Sequence, residues 1–239
     1  MSENKKTLII LPTYNEQENL EKAIAAIFVV VPGANILVVD DNSPDGTGAI
    51  ADRVAAEDQR VFALHRAGKS GLGKAYLDGF RYALEKGYDY IFEMDADLSH
   101  DPRYLPDFFS AVETSDLVIG SRYIKGVNVI NWPMARLLLS FAGNMYARFV
   151  TGMNVTDLTG GFKCFRREAL AALDFSKISS SGYSFQIEVS YILWKKGFRI
   201  REIPIIFVDR QFGETKMSTG IIREALFLIW KLRFRNIHR

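Results

Sequence analysis

The chain has 239 residues, of which 48% are hydrophobic and 24% are charged, as is typical of a globular domain with a full core. Its single cysteine, Cys164, excludes an intramolecular disulfide framework and a cysteine-based zinc site, and it fits a reducing compartment. The net charge is +2, but residues 220–239 hold five cationic side chains and one Glu, which gives them +4 and leaves −2 for the rest. The basic excess therefore belongs to the C-terminus and does not indicate a nucleic-acid-binding protein. No secretory signal peptide and no apolar run of ~18 residues, the length that spans a bilayer, is predicted.

The first part of the chain alternates predicted strands with predicted helices. Short apolar runs at residues 7–11, 36–39, 61–65 and 88–94 predict strands, and helical spacing of apolar side chains separates them. Continuously apolar strands with helical crossovers indicate a mostly parallel sheet that has helices on both faces. The sequence therefore predicts an α/β fold of the Rossmann-like kind.

Polar side chains follow these strands. Ligands of open α/β sheets bind at the carboxyl ends of the strands, so we expect these side chains to lie along one rim. The rim comprises Tyr14, Asn15 and Glu16 after the first strand, Asp40 and Asp41 after the second, residues 68–73 after the third, and Asp95 and Asp97 after the fourth. The glycine-rich loop at 68–73 is either a tight turn before a helix or a phosphate contact.

The motif Asp95-Ala96-Asp97 stands where the fourth strand ends. In extended backbone, residues i and i+2 point the same way, so both carboxylates can face one point in space. Two converging carboxylates suit a divalent cation that keeps positions open for phosphate oxygens. The alternative is that both residues are turn and cap residues ahead of Asp101-Pro102.

The second half of the chain adds elements to the same rim. Residues 116–120 predict a strand that brings Arg122 to the rim, where it either pairs with the acids or binds phosphate. The glycines at 160–161 permit close approach of a ligand or a neighbouring strand. A strand over 200–208 contains a proline and is expected at a sheet edge, and residues 209–218 predict a loop that orders over substrate.

Two later helices are rich in apolar residues. The helix that begins at Trp132-Pro133 carries Arg136 and is apolar over more than one face, so we expect a buried core helix, with a lipid-facing helix as the alternative. The helix at 220–235 is too short to span a bilayer. Its Trp and Phe alternate with Arg and Lys, which favours a membrane interface with anionic lipid; the alternative is a helix docked on the core with a solvated basic end.

Five motifs occur in order between about residue 7 and residue 218. They are Pro12-Thr-Tyr-Asn-Glu16, Val39-Asp-Asp-Asn-Ser-Pro-Asp-Gly46, Met94-Asp-Ala-Asp-Leu-Ser-His100, Gly120-Ser-Arg-Tyr123 and the segment from Asp209-Arg210 to Lys216. Together they resemble the family-2 glycosyltransferases with a GT-A fold, and more closely the polyprenol (dolichol) phosphate mannose synthases. The resemblance implies one GT-A catalytic domain over residues 1–218 and a C-terminal amphipathic, basic, membrane-proximal helix over 219–239.

The activity that the resemblance implies is inverting transfer of mannose from GDP-mannose to a polyprenyl (dolichyl) phosphate, with Mg²⁺ or Mn²⁺ as cofactor. A phosphate anion is already a competent nucleophile, so no histidine is needed as a general base. The alternatives are another donor, such as UDP-glucose, or an inactive nucleotide-sugar-binding regulator.

The resemblance also implies the site residues. Those expected to hold the nucleotide sugar are Pro12, Tyr14, Glu16, Val39, Asp40, Asp41, Asp95, Ala96, Asp97, Arg122, Arg210 and Lys216. Those expected to act in catalysis are Asp95, Asp97, Arg122, Arg136, Arg210 and Lys216, and the expected metal ligands are Asp95, Asp97 and Ser99. Within this set, Arg122 and Arg136 are expected on the acceptor phosphate, and Arg210 and Lys216 on the donor diphosphate.

The expected partners are the nucleotide sugar, the lipid phosphate and a membrane surface, with no nucleic acid. The expected location is cytoplasmic, peripheral on the cytoplasmic face of a membrane. The C-terminal helix either binds lipid directly or docks on a small membrane subunit.

Overall fold

The computed structural model describes residues 5–178, 180, 182–209 and 219–235. Seven strands form one sheet in the order β3-β2-β1-β4-β7-β5-β8, and β6 and β9 form a separate two-stranded sheet. The strands are β1 (Thr7–Thr13), β2 (Asn35–Asp40), β3 (Val61–His65), β4 (Tyr90–Glu93), β5 (Leu117–Ser121), β6 (Val129–Ile130), β7 (Lys163–Arg166), β8 (Ile200–Pro204) and β9 (Phe207–Val208).

Eight α-helices occur within the described ranges. They are α1 (Leu20–Val30), α2 (Thr47–Glu57), α3 (Leu72–Glu85), α4 (Leu105–Val112), α5 (Met134–Thr151), α6 (Arg167–Ala171), α7 (Gly182–Lys195) and α8 (Thr219–Phe234). Short 3₁₀ turns at Pro102–Tyr104 and Phe175–Lys177 precede α4 and α7.

The sheet is mostly parallel, as the sequence predicts. The pairs β1–β2, β1–β4, β2–β3 and β5–β8 are parallel, whereas β7 runs antiparallel to both β4 and β5. Strand β8, which ends at Pro204, lies at the sheet edge as expected. The prediction of one strand over 200–208 is wrong, because the chain leaves the sheet after Pro204 and β9 pairs with β6 instead.

Apolar side chains cover both faces of the sheet. Along β1, Leu8 and Ile10 join one buried cluster and Ile9 and Leu11 join the other, since successive side chains of a strand point to opposite faces. The first cluster includes residues of α3 and α7, and the second includes residues of α1 and α4. The prediction of an α/β sheet with helices on both faces is confirmed.

Helix α5 is not a core helix, contrary to the expectation. Its buried residues are Asn144, Ala147, Val150 and Thr151, which form one narrow side. Its exposed large apolar residues are Met134, Leu138, Leu139, Phe141, Met145 and Phe149. Apolar side chains of α5 are therefore exposed at the surface as well as buried on the side that packs on the protein.

Helix α8 docks on the rest of the chain. Ile229 and Leu232 are buried in the same cluster as α3 and α7, and α8 packs against α5 and α7. The guanidinium of Arg235 donates to the buried carboxylate of Glu188 at 2.7 Å. The side of α8 opposite Ile229 and Leu232 exposes Phe227, Trp230 and Phe234. Within the described ranges, no helix combines the length and apolarity that crossing a bilayer requires.

A buried acid and a buried base face each other across β4 and β7. Glu93 and Lys163 are register partners, and both side chains have no exposed surface. The ammonium of Lys163 donates to the carbonyl oxygen of Gln186 at 2.9 Å and to Ser190 Oγ at 3.0 Å. Burial raises the pKa of Glu93 to about 7, against the opposing charge of Lys163, and burial lowers the pKa of Lys163 to about 8.

The raised pKa of Glu93 predicts a pH-dependent stability. Between the ordinary pKa and the folded pKa, the folded state holds a proton that the unfolded state has released, so the free energy of unfolding should fall as pH rises from about 4.5 to about 7. Glu93→Gln should remove this fall, which amounts to about 3 kcal/mol at most. Urea denaturation at several pH values measures it, with the exposed Glu85→Gln as the control. An unchanged slope in Glu93→Gln would contradict the assignment.

Candidate active site

The ends of β1 and β2 are joined by the carboxylate of Asp40. It is buried and accepts hydrogen bonds from Thr13 Oγ1 at 3.0 Å, from the backbone N–H of Ser43 at 3.0 Å and from Ser43 Oγ at 2.6 Å. Register pairing places Thr13 directly beside Asp40. Asp40, which was predicted to contact the nucleotide, thus helps to fix the shape of this rim.

The carboxylate of Asp41 connects the rim to the loop after β3. It is paired with Arg66, and it accepts from the backbone N–H of Ser70 at 3.3 Å. The ammonium of Lys69 in the same loop lies 3.6 Å from the ring centroid of Tyr14. The glycine-rich loop therefore lies against two predicted nucleotide residues, a contact that the sequence left open.

The turn after β1 is held to the turn before α2. The backbone N–H of Glu16 donates to Thr47 Oγ1 at 2.9 Å, and Asn19 Nδ2 donates to Glu16 Oε2 at 2.8 Å. Pro12 is half-buried, whereas the side chains of Val39 and Ala96 are buried. Val39 and Ala96 can therefore contact a ligand only through their backbone.

Asp95 and Asp97 line a cavity of about 250 Å³. Asp97 Oδ1 accepts from the backbone N–H of Ser99 at 3.0 Å and from Ser99 Oγ at 2.6 Å. The backbone N–H of Asp95 donates to His100 Nδ1 at 3.0 Å, and the His100 ring stacks on Phe162 with centroids 5.0 Å apart. Asp97 thus shapes a turn, as one of the two interpretations predicts, and both acids line the cavity; the metal site stays a prediction.

This donor set fits a divalent cation. Carboxylate oxygens are ligands that Mg²⁺ and Mn²⁺ accept, and such ions commonly take one or two protein carboxylates and complete their shell with phosphate oxygens and water. In the part of the chain that the structure describes, no group of three or more His, Cys, Asp or Glu side chains is arranged to hold a metal. A cation here would therefore depend on its substrate for several ligands.

Arg122 is placed in the cavity by a buried acid that the sequence analysis did not select. Asp157 has no exposed surface, and its Oδ2 and Oδ1 each lie 2.7 Å from a guanidinium nitrogen of Arg122. Thr159 Oγ1 accepts a further bond from Arg122 at 2.8 Å. Burial would raise the pKa of Asp157, but the charge and hydrogen bonds of Arg122 lower it below the ordinary value. The signal in the sequence was an acid shortly before the glycine pair.

Arg136 lies at the same cavity and is held from two sides. Its Nη1 is 2.9 Å from each carboxylate oxygen of Asp209, and its guanidinium carbon is 4.1 Å from the ring centroid of Trp132. Arg122, Arg136, Asp209 and Trp132 all line the cavity that Asp95 and Asp97 enter. The structure therefore brings the predicted acid pair and the predicted arginine pair together.

The predicted pair Arg210 and Lys216 lies outside the described residues, as does the predicted loop over 209–218 apart from its first residue. That residue, Asp209, is described and contacts Arg136. The cavity is also lined by Trp132 and Gln186, which the motifs did not single out, whereas Asp157 lies behind Arg122 and does not line it.

A model of glycosyl transferase family 2 matches residues 8–174, which is more than half of the chain. The chain belongs to glycosyl transferase family 2. The prediction that it is a glycosyltransferase, made from the motifs, is confirmed.

Two relatives are similar to this chain over nearly their whole length. An undecaprenyl-phosphate mannosyltransferase of Micrococcus luteus is 49% identical over 232 residues, covering 96% of each chain. A polyprenol monophosphomannose synthase of Mycolicibacterium smegmatis is 47% identical, covering 97% of this chain and 89% of its own. The resemblance to polyprenol phosphate mannose synthases is thereby confirmed.

Solved structures of glycosyl transferase folds are similar in shape. Glucosyl-3-phosphoglycerate synthase from Mycobacterium tuberculosis, in complex with Mn²⁺, UDP and glucosyl-3-phosphoglycerate, has a TM-score of 0.69 at 19% identity, covering 96% of this chain and 80% of that one. Its complex with Mn²⁺, UDP-glucose and phosphoglyceric acid has a TM-score of 0.70. At this identity the likeness establishes the GT-A fold alone, and the fold prediction is confirmed.

The buried pair predicts that Asp157 is needed to position Arg122. Asp157→Asn should lower kcat/KM by about 10² because the guanidinium loses its alignment, and it should lower the free energy of unfolding by about 3 kcal/mol because a buried charge is left unpaired. Steady-state kinetics and chemical denaturation measure both effects.

The matched control for this variant is Asp116→Asn, which breaks the exposed pair with Arg199 at the start of β5. It should change neither quantity appreciably. If Asp157→Asn does not fold, Thr159→Val removes only one contact to Arg122 and should still lower kcat/KM. Full activity in both Asp157→Asn and Thr159→Val would contradict the positioning role.

Proposed function

We propose that the chain transfers mannose from GDP-mannose to a polyprenyl (dolichyl) phosphate, with inversion, giving a polyprenyl phosphate mannose. The observation that carries the proposal is one cavity lined by two acids, Asp95 and Asp97, and by two arginines, Arg122 and Arg136. The names of the two full-length relatives support the mannosyl product and the lipid phosphate acceptor. The donor base and the stereochemistry come from the family resemblance.

The arginine pair suits an acceptor that is itself an anion. A guanidinium presents a planar fork that matches phosphate oxygens, and it keeps its charge at all physiological pH values. A phosphate oxygen attacks without losing a proton, so the site needs cations that hold the acceptor rather than a general base. In this proposal Arg122 and Arg136 hold the lipid phosphate against the anomeric carbon.

The acid pair suits the donor diphosphate through a divalent cation. Asp95, Asp97 and Ser99 would hold Mg²⁺ or Mn²⁺, which when bound neutralises the charge of the leaving diphosphate. In the structure, Ser99 donates both of its bonds to Asp97 Oδ1. Ser99 thereby orients the carboxylate of Asp97, in addition to its proposed role as a metal ligand.

The nucleoside would lie along the ends of β1 and β2. The ring of Tyr14, with Lys69 beside it, offers a flat surface for a base, and Asp41 offers a carboxylate to base or ribose hydroxyls. Pro12, Glu16, Val39, Asp40 and Ala96 would complete this pocket, with Val39 and Ala96 contributing backbone. Arg210 and Lys216 would close over the diphosphate.

We further propose that the protein works as a peripheral protein on the cytoplasmic face of a membrane. The acceptor is a lipid, and the packed pair α5 and α8 exposes Met145 and Phe149 on one helix and Phe227, Trp230 and Phe234 on the other. Basic residues Lys231 and Arg233 lie in the last turn of α8, where anionic lipid would attract them. The proposed division is a catalytic domain over 1–218 and a membrane-proximal helix over 219–239. A small membrane subunit is the other candidate for this surface.

The proposed reaction is tested by incubating the protein with polyprenyl phosphate, Mg²⁺ and a panel of sugar nucleotides, followed by mass spectrometry of the lipid. We expect a mannosyl phosphate lipid from GDP-mannose, loss of product in EDTA, and at least a 10³-fold loss in Asp97→Ala, because charge neutralisation at the diphosphate is lost. The exposed Asp107→Ala is the control. If product forms from UDP-glucose alone, the donor is UDP-glucose and not GDP-mannose. If no glycolipid forms from any donor, the result favours the alternative of an inactive nucleotide-sugar-binding regulator.

The proposed membrane surface predicts that apolar side chains on both helices contribute to binding. Phe149→Ser and Phe227→Ser should each weaken co-sedimentation with vesicles containing anionic lipid, by about tenfold, since each removes a large exposed ring from the interface. The control is Val29→Ser on α1, which is 84% exposed on an unrelated helix. Equal sedimentation of all three variants would favour docking on a protein subunit.

A further inference from the structure

Gln186 is a buried amide that faces the active-site cavity. It lies on α7, is 2% exposed, and lines the same cavity as Asp95 and Asp97. Its backbone is fixed, since its carbonyl oxygen accepts from Lys163 Nζ at 2.9 Å and from Ser190 Oγ at 2.9 Å. Within the described residues, neither Nε2 nor Oε1 of its side chain has a hydrogen-bond partner of normal geometry.

A buried amide in this condition calls for an explanation. Most buried polar side chains in folded proteins have partners, and one without them carries the cost of its lost hydration. The side chain lies beside the buried carboxyl of Glu93, and a hydrogen bond of poor geometry between the two opposes part of the rise that burial causes in the pKa of Glu93. Nevertheless, neither carboxyl oxygen of Glu93 has a bond of normal geometry. Glu93 therefore accounts for the location of the amide only in part.

The space in front of the amide is kept open by glycine. A Cβ on Gly161 would lie 3.9 Å from Gln186 Nε2 and 3.5 Å from His100 Cε1, so a side chain there would enter the gap between them. At the neighbouring Gly160, a Cβ would come within 3.0 Å of the carbonyl oxygen of Gly120. Gly161 thus leaves room beside the amide, and Gly160 allows the chain to approach Gly120 closely.

The chemistry of the amide selects a class of ligand group. An amide is neutral and offers two donors and one acceptor, which matches a hydroxyl group that both gives and receives a hydrogen bond. The phosphate groups of the substrates already have arginines and carboxylate-bound cations as their matched partners in this cavity. A hydroxyl of the sugar is what remains to be recognised.

We propose that Gln186 binds a hydroxyl group of the transferred sugar and thereby helps to select the donor. This inference deepens the proposed function and rests on it, because the ligand group belongs to the sugar of the nucleotide-sugar donor. Bound substrate supplies the partner of normal geometry that the amide lacks. Lys163 on β7 holds α7 in place through its bonds to the Gln186 carbonyl oxygen and to Ser190 Oγ.

The test uses Gln186→Met, which keeps the length of the side chain and removes its hydrogen-bonding groups. By calorimetry, the variant should bind the sugar nucleotide that the wild type uses about tenfold more weakly, because one hydrogen bond to a hydroxyl is lost. Its affinity for the free nucleoside diphosphate should stay within about twofold, because that ligand lacks the sugar. The exposed Gln59→Met, in the turn before β3, is the matched control.

Deoxy-sugar nucleotides identify the hydroxyl. Wild-type protein should discriminate against the donor that lacks the bound hydroxyl, and Gln186→Met should not discriminate at that position, so the two losses are not additive. Thermal stability separates this role from a structural one: removing an unsatisfied amide should leave the melting temperature unchanged or higher, whereas an amide that only supports Glu93 would lower it.

The outcomes separate the inference from the function on which it rests. If wild-type protein transfers sugar but Gln186→Met binds donor and diphosphate as the wild type does, the Gln186 proposal is overturned and the function stands. If Gln186→Met weakens binding of the sugar nucleotide and of the nucleoside diphosphate equally, the proposal is likewise overturned. If no lipid product forms, yet the sugar-dependent affinity is lost in the variant, the role of Gln186 stands and the acceptor is the part that is wrong.

Discussion

The insertion of β7 between β4 and β5 is the constraint on which the active site depends. This strand runs against both neighbours, and the segment that leads into it crosses the carboxyl end of the sheet. That segment delivers Asp157 to Arg122 and the glycine pair to the cavity, while the strand itself places Lys163 opposite Glu93. One reversed strand therefore determines the positions of Arg122, of the glycine pair and of the buried residues Glu93 and Lys163.

The cavity combines groups that would be unfavourable on their own. Arg122 is 5% exposed and carries a full charge, which is tolerable because Asp157 and Thr159 satisfy several of its donors. Arg136 is held by Asp209 and Trp132 in a similar way. Each cation is thus oriented by its protein partners, and in the proposed reaction such preorganised charge would stabilise the transition state without a general base.

Helices α5 and α8 each have one apolar side that packs on the protein and another that is exposed. Ile229 and Leu232 bury the inner side of α8, and Ala147 and Val150 do the same for α5. The rings that remain outside, including Phe149 and Phe227, lie on the sides that do not pack. Docking of α8 on the core is therefore compatible with the proposed membrane contact, because its two sides carry separate apolar surfaces.

The sequence alone determined the α/β class, the parallel strands and the rim that carries Asp95 and Asp97, because local periodicity and strand-end positions are encoded within short windows. It also determined the family, since five motifs in order are specific where one is not. Only the tertiary structure decided that Asp157 supports Arg122, that Gln186 faces the cavity and that α5 lies at the surface. The first two features depend on contacts between residues that are distant in the sequence, such as Arg122 and Asp157, which are 35 positions apart. The position of α5 depends on which side of the helix packs against other elements, and local spacing does not encode this.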